Sequence, residues 1–423
     1  MGNGRLSETA AEPESAVLIA VDDGGGTTDA CLDELSALAG NIGIEEAGRV
    51  TQRREKPHPA RYLGKGRLED LSALVSVTGA GVVIADDELT NAQMRGLAEA
   101  TGALVIDRSL VILDIFAARA SSAEGAAQTE LARLKYSLSR LAGLGKSLSR
   151  QGGGGGGGMG ARRGGGETKL ELDRRAVRER IARLTDEIGE IKKRRGVSRD
   201  RREKNRVPLV SLCGYTNSGK STLLNAFTGA DALAEDKLFA TLDTTTRRVE
   251  AHGFEYLMSD TVGFIRKLPH ALIDAFSATL EELTFADVLL HVVDASSPDR
   301  VAQIQTVKST LSEIGASAPI VTVFNKMDAS PRKPLPFDRD SRAHVEISAR
   351  TGEGLDALAY IVAETIKSLR RPLRVLIPYA KGDLIGLTRS RCGIVSEQFL
   401  ENGTLLELLA DEEMSGIMSE YIV

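Results

Sequence analysis

A chain of 423 residues is too long for one hydrophobic core and divides into two to four domains. Its 42% hydrophobic and 27% charged content is that of a soluble globular protein, and no apolar run approaches the ~18 residues that cross a bilayer; with no apolar helix face beside the basic run and no lipidation signal, no membrane partner is expected. The net charge of -5 excludes general attraction to nucleic acid, so DNA is not an expected partner and any polyanion contact must come from a local patch.

In chain order, residues 1–26 mix Gly, Ser, Glu and Ala around one short apolar run, Ala16 to Val21, and end in Gly24-Gly25-Gly26, a composition that predicts a mobile extension. Acidic residues stand there where a signal peptide would be basic. Cys31, Cys213 and Cys392 lack metal or disulfide spacing, which suits a reducing cytosol, so a cytoplasmic protein is expected, taken as a monomer although nothing in the sequence fixes the oligomeric state. Residues 27–120 carry α/β signals: short β-rich runs at Val82 to Ala85 and Ala103 to Ile106, each preceded by apolar residues at helical spacing (Leu71, Leu74, Val75; Met94, Leu97, Ala98). Such alternation predicts βαβ units and a parallel sheet. The basic turn Arg61-Tyr62-Leu63-Gly64-Lys65-Gly66-Arg67 heads one helix and reads either as a phosphate contact or as a solvated turn.

Residues 121–206 predict an antiparallel helical hairpin. Leu131, Leu134, Leu138 and Leu141 are spaced three, four, three, and Val177, Ile181, Leu184, Ile188 and Ile191 four, three, four, three, two seams of the coiled-coil kind. Between them the loop 151–167 holds an unbroken glycine run from Gly152 to Gly158 and then Arg162 and Arg163; it cannot pack a core and reads as a flexible probe or as a tolerated insertion. The second helix runs into nine Lys and Arg residues between Lys192 and Arg206, opposed only by Asp200 and Glu203. That local charge of +7 points to a phosphate backbone.

Residues 207–370 predict a phosphate-loop nucleotide domain. Gly214-Tyr215-Thr216-Asn217-Ser218-Gly219-Lys220-Ser221 follows an apolar strand and opens a helix, beginning with Thr222, that carries Leu223, Leu224 and Phe227. Backbone amides of such a loop and the helix N-terminus face anionic oxygens; Lys220 reaches the outer phosphates and the Ser221 hydroxyl is placed for magnesium. Phe239-Ala240-Thr241-Leu242-Asp243 suits a mobile switch whose threonine is a magnesium ligand. Asp260-Thr261-Val262-Gly263 ends a strand, with Asp260 holding the metal through water and the Gly263 amide sensing the γ-phosphate. Asn325-Lys326-Met327-Asp328 supplies a carboxylate for the N1–H and N2 amino groups of guanine, and Ser348-Ala349-Arg350 a backbone amide for its O6. Five strings in order, each at a strand end where a doubly wound sheet places its ligand, commit the site to GTP and GDP. Catalytic roles fall to Lys220, Thr241 and Gly263. Phe264 stands where many such enzymes carry a water-orienting glutamine and cannot hydrogen-bond water, so turnover by the isolated protein should be slow until a partner completes the site. Asn217 offers a side-chain oxygen inside the loop. The residue stands there in potassium-activated GTPases, and it also fits a loop-shaping hydrogen bond.

These residues resemble the HflX family of ribosome-associated GTPases, within the Obg–HflX-like group, from about residue 30 to the C-terminus. The resemblance is carried by Arg61-Tyr62-Leu63-Gly64-Lys65-Gly66, Asp86-Asp87-Glu88-Leu89, Leu113-Asp114-Ile115-Phe116-Ala117, the phosphate loop, Phe239 to Asp243, and Asp260-Thr261-Val262-Gly263-Phe264-Ile265. It implies an N-terminal α/β domain plus hairpin that binds the large ribosomal subunit, magnesium on Ser221 and Thr241, GTP-driven binding, and dissociation or rescue of stalled ribosomes. It also implies a small C-terminal α/β domain over 371–423. The hairpin loop departs from the family, with Gly165 in place of a proline, which makes the tip costlier to order. The alternative function is a GTP-gated module that binds RNA or protein during ribosome assembly.

Overall fold

The computed structural model describes residues 14–151, 165–205, 207–229, 239, 245–267, 277–330, 334–410 and 412–423. Two compact units form: the first from Met1–Ile191 with Glu235–Asp243 and Ile265–Ser277, the second from Lys192–Ala234, Thr244–Phe264 and Ala278–Val423.

The first unit is built on a parallel four-stranded sheet in the order β2-β1-β3-β4. Its strands are β1 (Glu14–Asp22), β2 (Ile44–Arg53), β3 (Val82–Ala85) and β4 (Leu104–Asp107). The mobile extension expected over residues 1–26 is thereby corrected: from Glu14 to Asp22 the chain is an inner strand. Ala16 to Ala20 are at most 1% exposed. A parallel strand covered on both faces reads as an unbroken apolar run, and this run is what the glycine-rich flanks obscured. Helices α1 (Thr28–Asn41), α2 (Lys65–Thr78), α3 (Asn91–Thr101) and α4 (Arg108–Arg119) alternate with the strands. Thr90 and Gln93 close a reciprocal capping box on α3, satisfying two amides that would otherwise be orphaned.

Buried charge in this unit is paired, as burial requires. Arg108, 1% exposed, reaches Asp86 at 2.8 Å and Glu34 at 3.0 Å. Asp107 caps α4 by accepting from the Leu110 amide at 3.1 Å, and also accepts the Tyr136 hydroxyl at 3.0 Å and Arg140 at 2.5 Å. The last two residues lie on α5 (Ala123–Gln151), so one aspartate ties the hairpin to the edge of the sheet. The hairpin seam is formed by Ala127, Leu131, Leu184 and Ile188, with Leu134 and Ile181 packed against them, and Arg180 makes two 2.8 Å bonds to Glu130. Its second helix, α6 (Gly165–Asn205), is continuous over 41 residues, about 60 Å at 1.5 Å per residue. Residues 152–164 of the expected glycine loop, and the side chains of the basic run from 195 onward, lie outside the described residues.

The second unit holds a six-stranded sheet in the order β10-β9-β8-β5-β7-β6. Its members are β5 (Leu209–Gly214), β6 (Thr245–Ala251), β7 (Phe254–Asp260), β8 (Val288–Asp294), β9 (Ile320–Asn325) and β10 (Ser341–Glu346), parallel except for the hairpin of β6 on β7. With α7 (Lys220–Thr228), α8 (Ser277–Thr284), α9 (Arg300–Glu313) and α10 (Leu355–Ser368) this is a doubly wound α/β domain. The C-terminal part has its own core of Val375, Ile377, Leu406, Leu408, Met414 and Met418. Its three strands, β11 (Arg371–Ile377), β12 (Gly393–Leu400) and β13 (Gly403–Ala410), pair antiparallel, so it is an α+β arrangement rather than a further βαβ unit. Among the described residues no helix is long and apolar enough to cross a membrane.

Candidate nucleotide site

The strand β5 lies between β7 and β8, the point at which strand order reverses and a doubly wound sheet opens a crevice beyond its carboxyl ends. The loop from Gly214 to Gly219 starts there. A Cβ at Gly214 would sit 2.3 Å from the Val292 carbonyl oxygen, so only glycine lets the chain turn that close to β8. Asn217 takes φ 59, a left-handed conformation that asparagine tolerates better than most residues, which agrees with its loop-shaping reading.

Lys220, 6% exposed, donates from Nζ to the Gly214 carbonyl at 3.2 Å and the Tyr215 carbonyl at 2.9 Å. An ammonium has three protons, and the third is left for an incoming acceptor. Burial lowers the pKa of this ammonium, with Asp260 acting in the opposite direction; an anion at the loop would restore what desolvation removes. The Thr216 and Ser218 hydroxyls are buried with no hydrogen-bond partner, as donors awaiting a ligand are. Ser221 donates to Asp260 Oδ2 at 2.6 Å. These two oxygens, one from the start of α7 and one from the end of β7, fit a hard cation that takes its remaining ligands from phosphate and water, as magnesium does. Thr261 donates to the Leu212 carbonyl at 2.7 Å and fixes the turn after Asp260. Beyond Val262, Gly263 faces the loop so closely that a Cβ there would lie 2.8 Å from Thr216 Cγ2 and 3.0 Å from Lys220 Nζ. The Phe264 amide donates to the Gly214 carbonyl at 3.1 Å and its carbonyl accepts from the Thr216 amide at 2.7 Å, while its ring is 2% exposed.

At the other end of the crevice Asn325 binds two loops at once. Its Nδ2 donates to the Ser218 carbonyl and its Oδ1 accepts from the Ala349 amide, both at 2.9 Å. Met327 donates its amide to the Ile347 carbonyl at 3.1 Å. Asp328 accepts from the Ser348 hydroxyl at 2.6 Å and pairs with Arg350. The Ser348 bond first, and then the Arg350 guanidinium, holds its carboxyl below the usual range. Lys326 takes φ 63 and pairs with Asp294 at 2.9 Å, a partner the sequence strings did not include although it too ends a strand.

Among the residues singled out from the sequence, 214–222, 260–263, 325–328 and 348–350 therefore converge on one edge of one sheet. Ala240, Thr241, Leu242 and Asp243 lie outside the described residues. Phe239, expected in the nucleotide switch, is a member of the first unit, where its ring is 2% exposed and meets Phe116 edge-on at 4.7 Å.

Three family models match in series: "GTP-binding GTPase N-terminal" over residues 29–117, "GTP-binding GTPase Middle Region" over 119–202 and "50S ribosome-binding GTPase" over 209–326. The chain is 44% identical over 420 residues to the GTPase HflX of Caldanaerobacter subterraneus subsp. tengcongensis, covering 99% of this chain and 96% of the relative. It is 44% identical over 411 residues to that of Lacrimispora saccharolytica, covering 96% of each. Against that of Escherichia coli K12 it is 39% identical over 379 residues, covering 88% of each.

Proposed function

The chain belongs to the HflX family of GTPases, and from that premise we propose that it binds GTP and GDP between residues 214 and 350, hydrolyses GTP, and uses the nucleotide to govern its attachment to the large ribosomal subunit. The observation that carries the nucleotide reading is the double tie made by Asn325, because it joins the phosphate loop through Ser218 to the guanine-side loop through Ala349. Geometry set in one loop is thereby held in register with the other.

In this reading the loop amides and the third Lys220 proton hold the phosphates, and Ser221 and Asp260 hold magnesium. Bound there, the metal neutralises charge that develops on the phosphate oxygens. Asp328 accepts from the guanine edge, a pattern of donors that adenine does not offer, which sets base selectivity. Phe264 offers the attacking water nothing: its ring is buried and its amide and carbonyl are bonded to the phosphate loop. Hydrolysis by the chain alone is accordingly slow, and the ribosome supplies or reorders the missing group. Asn217 adds potassium stimulation to this proposal, read by turnover in potassium against sodium at equal ionic strength.

Ribosome attachment is supported by the basic composition of the last third of α6 and by the family description matched over 209–326. The finer reading is that the hairpin separates the subunits of stalled ribosomes. Turnover measured with and without large subunits, together with co-sedimentation across a salt series and subunit profiles after GTP addition, tests each layer. Unstimulated turnover rejects the partner. Stimulation without subunit separation rejects the splitting role alone and favours the assembly alternative.

A further inference from the structure

Asp294 closes β8 directly opposite Asn325, which closes β9. Both of its carboxylate oxygens are engaged. Oδ1 accepts from the Ser296 amide at 2.9 Å and the Ser296 hydroxyl at 2.5 Å, a turn in which the carboxylate binds its own backbone two residues on, while Oδ2 faces Lys326 Nζ at 2.9 Å. The turn after β8 is also bonded to the turn after β9: the Ala295 amide donates to the Asn325 carbonyl at 2.9 Å, and the Ser330 hydroxyl to the Ala295 carbonyl at 3.2 Å. The carboxylate is thus a fixed anchor for the lysine. The Lys326 and Asp294 side chains are 29% and 17% exposed, so their charges are less screened than those of a surface pair.

Lys326 takes a left-handed backbone (φ 63), which costs a non-glycine residue free energy and persists only where its surroundings enforce it. They do so here: the Met327 amide donates to the Ile347 carbonyl at 3.1 Å, and the Ala329 amide to the Lys326 carbonyl at 3.0 Å. Lys326 leaves this turn two residues before Asp328, at most about 7 Å of chain. A flat base held at its edge by Asp328 therefore has the Lys326 stem within reach of its face. A lysine stem covers apolar surface while its ammonium seeks a polar partner, but the stem is flexible and free to point elsewhere. Anchored at Asp294, it is ordered before a base arrives, which removes an entropy cost from binding.

We propose that Asp294 is a positioning residue for the base: by holding the Lys326 ammonium, it keeps the lysine stem laid against one face of the bound guanine. The inference rests on the nucleotide reading above, with Asp328 at the edge of the base. Asp294 and Lys326 then add affinity without choosing among purines, because an aliphatic stem meets the ring face and not its exocyclic groups. Asp328 reads those groups.

The test titrates the full chain with GDP and with inosine diphosphate, which differs only in lacking the 2-amino group. Asp294→Asn keeps an oxygen for Ser296 and loses the charge; affinity for both nucleotides is expected to fall by one common factor, about three- to fivefold, the scale of a single partly exposed ion pair. Lys326→Met keeps an unbranched stem without the ammonium and is expected to lose at least as much. The double variant should bind no more weakly than Lys326→Met alone, since both changes break one interaction. A purely structural Asp294 would instead give additive losses. Undiminished GDP affinity in Asp294→Asn, a changed ratio of GDP to inosine diphosphate affinity, or additive losses in the double variant overturn the proposal. Should Asp294→Asn fail to fold, undiminished GDP affinity in Lys326→Met overturns it equally. Absence of saturable GDP uptake by the parent chain rejects the nucleotide reading, and this inference with it.

Discussion

The Ser221 hydroxyl and the Asp260 carboxylate meet at 2.6 Å, although they come from the start of one helix and the end of a strand 39 residues later. Neither is an ordinary cap, since their shared position lies at the mouth of the phosphate loop beside Lys220. Asp260→Asn preserves the shape and removes the charge. GTP turnover should fall about 100-fold, the scale of losing one preorganised electrostatic contact in a transition state. The midpoint of a magnesium titration should rise with it, while the thermal midpoint in nucleotide-free buffer changes little. Turnover across a magnesium series reads this directly, and an unaltered midpoint would remove Asp260 from the metal site.

Base selectivity should reside in Asp328. Asp328→Ala leaves the guanine N1–H and amino group unmatched, at a cost of about 1–3 kcal/mol, or roughly 5- to 150-fold in Kd. Arg350→Ala is the control: its side chain is 76% exposed, and exposed ion pairs are worth about 0–1 kcal/mol. GDP titration of both variants separates them. Equal losses would mean that the pair acts as one structural clip rather than as a guanine reader.

The second sheet and its site were legible because every string that carries chemistry sits at a strand end, where pattern and position reinforce each other. The seam of the hairpin was legible for a similar reason, since Leu131, Leu184 and Ile188 repeat at coiled-coil spacing and do become buried. The strand Glu14–Asp22 was not, because six apolar residues between polar flanks and three glycines carry no period from which to infer pairing partners. Ring packing of Phe239 on Phe116 and the bonds of Lys267 to Asp86 and Asp87 join residues 123 and about 180 positions apart. Nothing local in a sequence encodes such contacts.

Gly219 precedes Lys220 with φ 92, a region open to glycine and strained for other residues. A Cβ there would also fall 2.3 Å from Asn325 Nδ2, the atom that ties the loop to the guanine side. Gly219→Ala therefore strains the backbone and dislodges Asn325 together. Nucleotide affinity should drop by more than about tenfold, from strain on the order of 1–3 kcal/mol. Gly229→Ala, which shares the left-handed backbone (φ 60) but meets no atom within 4 Å, should bind nucleotide normally. Isothermal titration of the two variants distinguishes strain at the loop from strain elsewhere.

His291 gives the nucleotide domain a defined acid sensitivity. It stands in β8, 1% exposed, with Nδ1 buried and lacking a hydrogen-bond partner. Burial, opposed by Asp338, pushes its pKa down from 6.5 to about 4. The unfolded chain therefore binds one more proton than the folded one between those values. Stability from keeping this ring neutral is fully present above pH 6.5 and is lost as pH falls toward 4, up to about 3 kcal/mol at the end of the window. His291→Leu, similar in volume and unable to titrate, should flatten the fall in denaturation midpoint between pH 6.5 and pH 5, where most carboxylates are still charged. Below that range Asp338 contributes in the same direction, since its carboxyl is held low, against burial, by the Lys308 bond and the Asp340 amide. Urea midpoints of parent and variant at pH 7.5, 6 and 5 make the comparison, and parallel slopes would show that the acid sensitivity arises elsewhere.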